Sequence, residues 1–186
     1  MFKTITLTKT NITYVIKFLI LLALATGAPL LGFHSQWVTG PIVNAALILS
    51  VYLIGIRGAL LIGILPSTIA LSTGLLPAVL APMVPFIIIS NSILVLVMDY
   101  IVGTRHRLVQ DQNVAVPRSY NYFIGLFTGA GLKYLFLFFT SSIVINLLLN
   151  SAVASKVASM MSWPQFFTAI IGGILSFGIL KISTRL

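Results

Sequence analysis

Long apolar runs broken by short polar or turn-forming stretches dominate the 186-residue chain. With roughly 20 apolar residues needed to cross a bilayer core, the runs near 12–32, 41–56, 58–73, 84–102, 120–149 and 164–182 predict about six transmembrane helices and little else. The predicted fold is an all-α membrane protein, one compact six-helix bundle filling residues 1–186. Only Ile56-Arg57-Gly58 separates the second and third runs, so they read as a tight helical hairpin with Arg57 at its tip. The first run lacks a clear small-residue cleavage site and reads as a retained helix rather than a signal peptide.

Composition strengthens this reading. Hydrophobic residues make up 59% of the chain and charged residues 7%, against roughly 25% charged in soluble domains. Cysteine is absent, which removes disulfides, thiolate metal sites and cysteine nucleophiles. The net charge of +9 would suggest nucleic acid if it formed a patch on a soluble face. Instead the basic residues sit at the ends of apolar runs, where they set orientation and meet anionic membrane lipids, so no nucleic-acid partner is expected. Six spans starting inside put Lys3, Lys9, Lys17, Arg57, Arg105, Arg107, Arg118, Lys181 and Arg185 on the cytoplasmic side. Both termini are therefore expected to be cytoplasmic, with 103–119 a cytoplasmic loop and Lys156 in an outer loop.

Lys133 does not fit this charge pattern. It lies about 13 residues, or roughly 20 Å, into the fifth helix, too deep to snorkel back to the cytoplasmic surface. An intramembrane lysine costs at least ~2.5 kcal/mol on insertion scales and normally faces a bundle interior, a watery cavity or a partner. Gly125 and Gly129 precede it on one helical stripe that could leave space for a ligand. Two readings stay open: Lys133 meets an anionic or carbonyl-bearing substrate, or it satisfies backbone carbonyls while the glycines permit close packing.

Other polar groups fall toward the outer side. Asn44, Ser90 and Asn91 place hydrogen-bonding groups where solvent is scarce, and each needs partners. With Lys133 and Gln36 they would form an outward polar cluster, with Asn146, Asn150 and Gln165 at its rim or in the wet outer loop. Residues 34–41, from His34 to Pro41 with Gln36 and Trp37, read as a first outer loop able to lid a pocket. Trp37 and Trp163 are equally at home as interfacial belt residues. Pro66, Pro77, Pro82 and Pro85 bend or break helices, as happens around transporter sites and in ordinary bundles alike.

No catalytic or metal-binding constellation emerges. His34 and His106 are assigned to opposite sides, Asp99 and Asp111 both lie toward the cytoplasm, and no nucleophile motif or phosphate-binding glycine loop is present. No cofactor is expected either.

The segment Gln36-Trp37-Val38-Thr39-Gly40-Pro41-Ile42-Val43-Asn44, continued by Ala81-Pro82-Met83-Val84-Pro85-Phe86 and Ser90-Asn91, resembles the substrate-binding (S) components of energy-coupling factor transporters. The resemblance implies a binding subunit in a prokaryotic plasma membrane that captures a vitamin or related micronutrient from outside. It further implies a transmembrane coupling subunit and two ATPases as partners. Trp37, Asn91 and Lys133 fall where that family places its ligand pocket. Ala23 and Gly27 stand where its first helix presents alanines four apart to the coupling subunit, with glycine in place of the second alanine. Two other classes compete: an assembly subunit without a ligand, and an intramembrane enzyme.

Overall fold

A computed structural model describes residues 9–30, 35–72, 78–102, 119–148 and 157–183. Six long helices account for most of them: α1 (Lys9–Leu30), α2 (Gln36–Leu53), α3 (Gly55–Ser72), α4 (Val84–Val102), α5 (Ser119–Leu148) and α6 (Trp163–Ser183). A 3-10 segment, Ala78–Met83, leads into α4, and a helical turn at 157–160 leads toward α6. No strand occurs among the described residues. Among the described residues, five stretches are long and apolar enough to cross a membrane, and α1 adds the shorter apolar stretch Ile12–Gly27.

Two boundaries differ from the sequence expectation for physical reasons. Gln36–Pro41 belong to α2 and are not a loop, because the chain turns helical after the extended Ser35, whose carbonyl accepts from the Val38 and Thr39 amides. Pro41 sits in the second turn and withdraws one amide donor without ending the helix. The α2–α3 break also comes earlier, at Ile54 and Gly55. Gly55 has φ 82°, a left-handed conformation that costs glycine little and other residues considerably more. Arg57 consequently lies in the first turn of α3.

Side-chain neighbours fix the relative directions of the helices. Gly40 abuts Thr168 and Gly172 abuts Asn44, so α2 and α6 run parallel. Gly129 meets Leu94 and Gly125 meets Met98 and Val102, so α4 and α5 run antiparallel. Tyr134 stacks near Trp163 while Leu126 reaches Gly173, which makes α5 and α6 antiparallel as well. One end of the bundle, here called the upper end, therefore collects the starts of α2, α4 and α6.

Two apolar clusters fill the interior. The lower and larger one joins all six helices and includes Leu47, Ile48, Ile62, Leu94, Met98 and Leu126. An upper cluster gathers Leu80, Met83, Leu137, Val144, Val157 and Met161, with Phe86 and Phe136 against it. Near the lower end Tyr122 is fully buried, its hydroxyl donating to the Gly173 carbonyl at 2.6 Å and sharing a hydrogen bond with Ser176 Oγ at 3.2 Å. Replacing Tyr122 by Phe is expected to cost about 1 kcal/mol. Equilibrium unfolding in detergent checks this, and an unchanged stability would show that the bond contributes nothing.

Candidate functional site

Between the two clusters lies a polar layer. On α5 the lower cluster reaches Leu126 and the upper one starts at Phe136, with Lys133 in the gap. On α4 the same gap falls between Ile87 and Leu94 and holds Asn91. Asn44 stands eight residues into α2, so it and Asn91 both lie roughly 10–12 Å below the upper helix starts.

The three side chains meet. Lys133 Nζ donates to Asn44 Oδ1 at 2.6 Å and to Asn91 Oδ1 at 2.8 Å. Each amide is held by its other end, since Asn44 Nδ2 donates to the Gly40 carbonyl at 2.9 Å and Asn91 Nδ2 to the Gly63 carbonyl at 3.3 Å. Lys133 and Asn91 are 3% exposed and Asn44 2%. Four helices thus converge on one ammonium group: α5 carries it, α2 and α4 supply its acceptors, and α3 anchors one of those acceptors through a backbone carbonyl. The anchoring turns each Oδ1 inward, which is what a cation held away from water requires.

The acceptors around this cation are neutral. The chain has two acidic residues, Asp99 and Asp111. Asp99 lies eight residues beyond Asn91 on α4, about 12 Å along the helix axis. Asp111 is outside the described residues. Lys133 is accordingly clasped by amide oxygens alone among the described residues.

The other expected participants stand apart. Gln36 donates through Nε2 to the Met160 carbonyl at 2.7 Å, and Gln165 reaches the same oxygen at 3.3 Å. These two bonds fasten the start of α2 and the start of α6 to the turn at 157–160, above the upper cluster. Trp37 is 55% exposed and does not join the lysine. Trp163 stacks on Tyr134 at 5.1 Å within an aromatic patch with Phe166 and Phe167. Ser90 is buried but returns its hydroxyl to the Ile87 carbonyl one turn back. The space expected beside Gly125 and Gly129 is occupied by α4, whose Met98, Val102 and Leu94 side chains come within 3.0–3.4 Å of where added Cβ atoms would lie. Those glycines bring α4 close enough for Asn91 to reach Lys133.

His34, His106, Asn150, Lys156 and most of the 103–119 loop lie outside the described residues. On α1, Ala23 is exposed, and a Cβ on Gly27 would meet nothing within 4 Å.

Three contributors had escaped the sequence reading. The Gly63 and Met160 carbonyls are backbone atoms and leave no signature in residue identity. Gly172 had one in the Gly172-Gly173 pair: it lacks the Cβ that would strike the Pro41 carbonyl and Asn44, and so seats Asn44 against α6. Comparison with known protein families, curated proteins and solved structures gives no match.

Proposed function

We propose that this protein is the substrate-binding subunit of a membrane uptake system, of the energy-coupling factor kind that its sequence resembles. In this reading six helices cross a prokaryotic plasma membrane with both termini in the cytoplasm. A vitamin or related micronutrient enters from the upper, outer end. Partner ATPases, acting through a coupling subunit that docks on the α1 surface bearing Ala23 and Gly27, supply the energy.

The observation that carries the reading is the Lys133–Asn44–Asn91 clasp. A cation placed deep in an apolar bundle is expensive, and intramembrane charges of this kind characteristically mark substrate or ion pathways. Neutral acceptors hold the lysine in position without neutralising it. The arrangement therefore holds Nζ in place and leaves any counter-charge to be brought from outside.

The test is thermal unfolding of the purified protein against a panel of vitamins and their precursors, with mass spectrometry of small molecules released on denaturation. A ligand bound only by the folded state stabilises it by about 2.7 kcal/mol at 100 times its Kd. A marked rise in melting temperature is expected for one compound, with loss of the rise in Lys133→Ala. Absence of any stabilising compound and of any released molecule would end this reading.

A second reading has its own observation: the three polar side chains bond one another and the backbone, as a helix-fastening cluster would. Such an assembly subunit would co-purify with a larger membrane partner whether or not Lys133, Asn44 and Asn91 are replaced.

A further inference from the structure

Hydrogen-bond accounting at the clasp narrows the chemistry of what it binds. An ammonium carries three N–H groups and each asparagine amide two. Lys133 donates twice, to Asn44 and Asn91, while each amide donates once, to Gly40 or Gly63. One N–H on each of the three side chains is therefore left without an acceptor among the described residues. All three belong to groups nine-tenths or more buried, where an unmet donor is costly. The unmet capacity consists of donors around an unneutralised cation.

From this we propose, building on the binding role above, that the ligand is a small monocarboxylic acid with an apolar body, its carboxylate seated on Lys133. A carboxylate offers two oxygens with about four lone-pair sites, enough for all three leftover N–H groups, and its single charge cancels the ammonium. A neutral carbonyl offers one oxygen, which leaves a donor unmet and the charge uncancelled. A dianion would leave one negative charge in the bundle, because the other described cations lie elsewhere. Arg57 starts α3 and Lys181 ends α6 at the lower end, and Lys17 lies in the lower half of α1.

The body of the ligand faces the upper cluster. Met83, Phe86, Phe136, Leu137 and Met161 lie between the clasp and the upper end and offer no charge. Met83 and Met161, unbranched and with three rotatable bonds each, can repack around an apolar guest more readily than branched side chains do. The Gln36 and Gln165 bonds to the Met160 carbonyl tie the turn at 157–160, whose Val157 belongs to this cluster, to the starts of α2 and α6.

The test uses acid and amide pairs: nicotinate with nicotinamide, biotin with biotinamide, lipoate with lipoamide, and octanoate with octanamide. Each is titrated against the full chain in detergent with melting temperature as the readout. For at least one pair the acid is expected to bind roughly 10- to 100-fold more tightly than its amide, the loss of one charge-assisted interaction. Asn91→Asp supplies an internal carboxylate to Lys133 and is expected to abolish the response to the acid while the protein still folds. Lys133→Met, should Asn91→Asp not fold, is expected to remove the acid–amide difference. An amide that binds as well as its acid, or an acid response that persists in either variant, overturns the carboxylate assignment but leaves the binding role standing. If no pair, no compound of the vitamin panel and no released molecule registers, the binding role itself fails and the assignment with it.

Discussion

Gly172→Ala is expected to destabilise the protein by roughly 2–3 kcal/mol, near the top of the range for overpacking a filled interior. The added Cβ would lie 2.6 Å from the Pro41 carbonyl oxygen, 2.8 Å from the Ala45 amide nitrogen and 2.8 Å from Asn44 Cβ. Two of these neighbours are backbone atoms, which cannot rotate away as a side chain would, so α2 and α6 must separate. Movement of Asn44 would also lengthen its bond to Lys133, so that under the proposed binding role any ligand-induced stabilisation should weaken together with the fold. Gly178 lies on the same helix, and Gly131 follows Gly129 on α5; a Cβ on either would meet nothing within 4 Å. Alanine there should leave stability unchanged or slightly raised through better helix propensity. Unfolding measurements on the three variants check the contrast, and equal effects at all three positions would refute the close α2–α6 seam.

Lys133→Met is the second large effect and separates binding from fastening. The substitution keeps an unbranched apolar stem one atom shorter but removes the donor to Asn44 Oδ1 and Asn91 Oδ1, leaving two buried amide oxygens unmet. Interhelical hydrogen bonds in membrane proteins average about 0.6 kcal/mol and reach about 1.7, so loss of both should cost roughly 1–3 kcal/mol. Replacing all three polar residues, as Lys133→Met with Asn44→Leu and Asn91→Leu, removes every unmet group at once. Stability should then return to within about 1 kcal/mol of the parent, because an apolar replacement of similar volume is often neutral or better. Under the proposed binding role, the triple variant should show no ligand response although its fold is restored. A triple variant that stays unstable would favour the helix-fastening role, since the clasp would then be needed for the fold itself.

Periodicity and run length made the helices legible. The fourth run was expected at 84–102 and α4 occupies Val84–Val102, because Pro85 and the polar stretch after Val102 mark both ends in the sequence. The start of α2 was less legible. Gln36-Trp37-Val38-Thr39-Gly40-Pro41 looks like a loop by composition, but its first turn is anchored by the Ser35 carbonyl and by the Gln36 bond to the Met160 carbonyl. Local propensity carries no information about a carbonyl more than a hundred residues away.

The candidate site divides in the same manner. Lys133, Asn44 and Asn91 could each be picked out because an apolar helix tolerates a polar group at depth only with partners. Their depths could even be matched by counting residues along each run. That Lys133 bonds the two asparagine oxygens rather than backbone carbonyls depends on how far apart α2, α4 and α5 stand. Gly129 sets the α4–α5 spacing and Gly172 seats α2 against α6, and a small residue in a membrane helix looks the same in sequence whether it faces lipid, a neighbour or a cavity. Residue chemistry alone therefore determined an all-helical chain with long apolar segments and a lysine that lipid could not accommodate. The tertiary structure decided which groups satisfy that lysine, that α4 fills the groove along Gly125 and Gly129, and that Trp37 stays outside, because each outcome rests on helix rotation and separation, which are properties of packed pairs and not of a single strand of sequence.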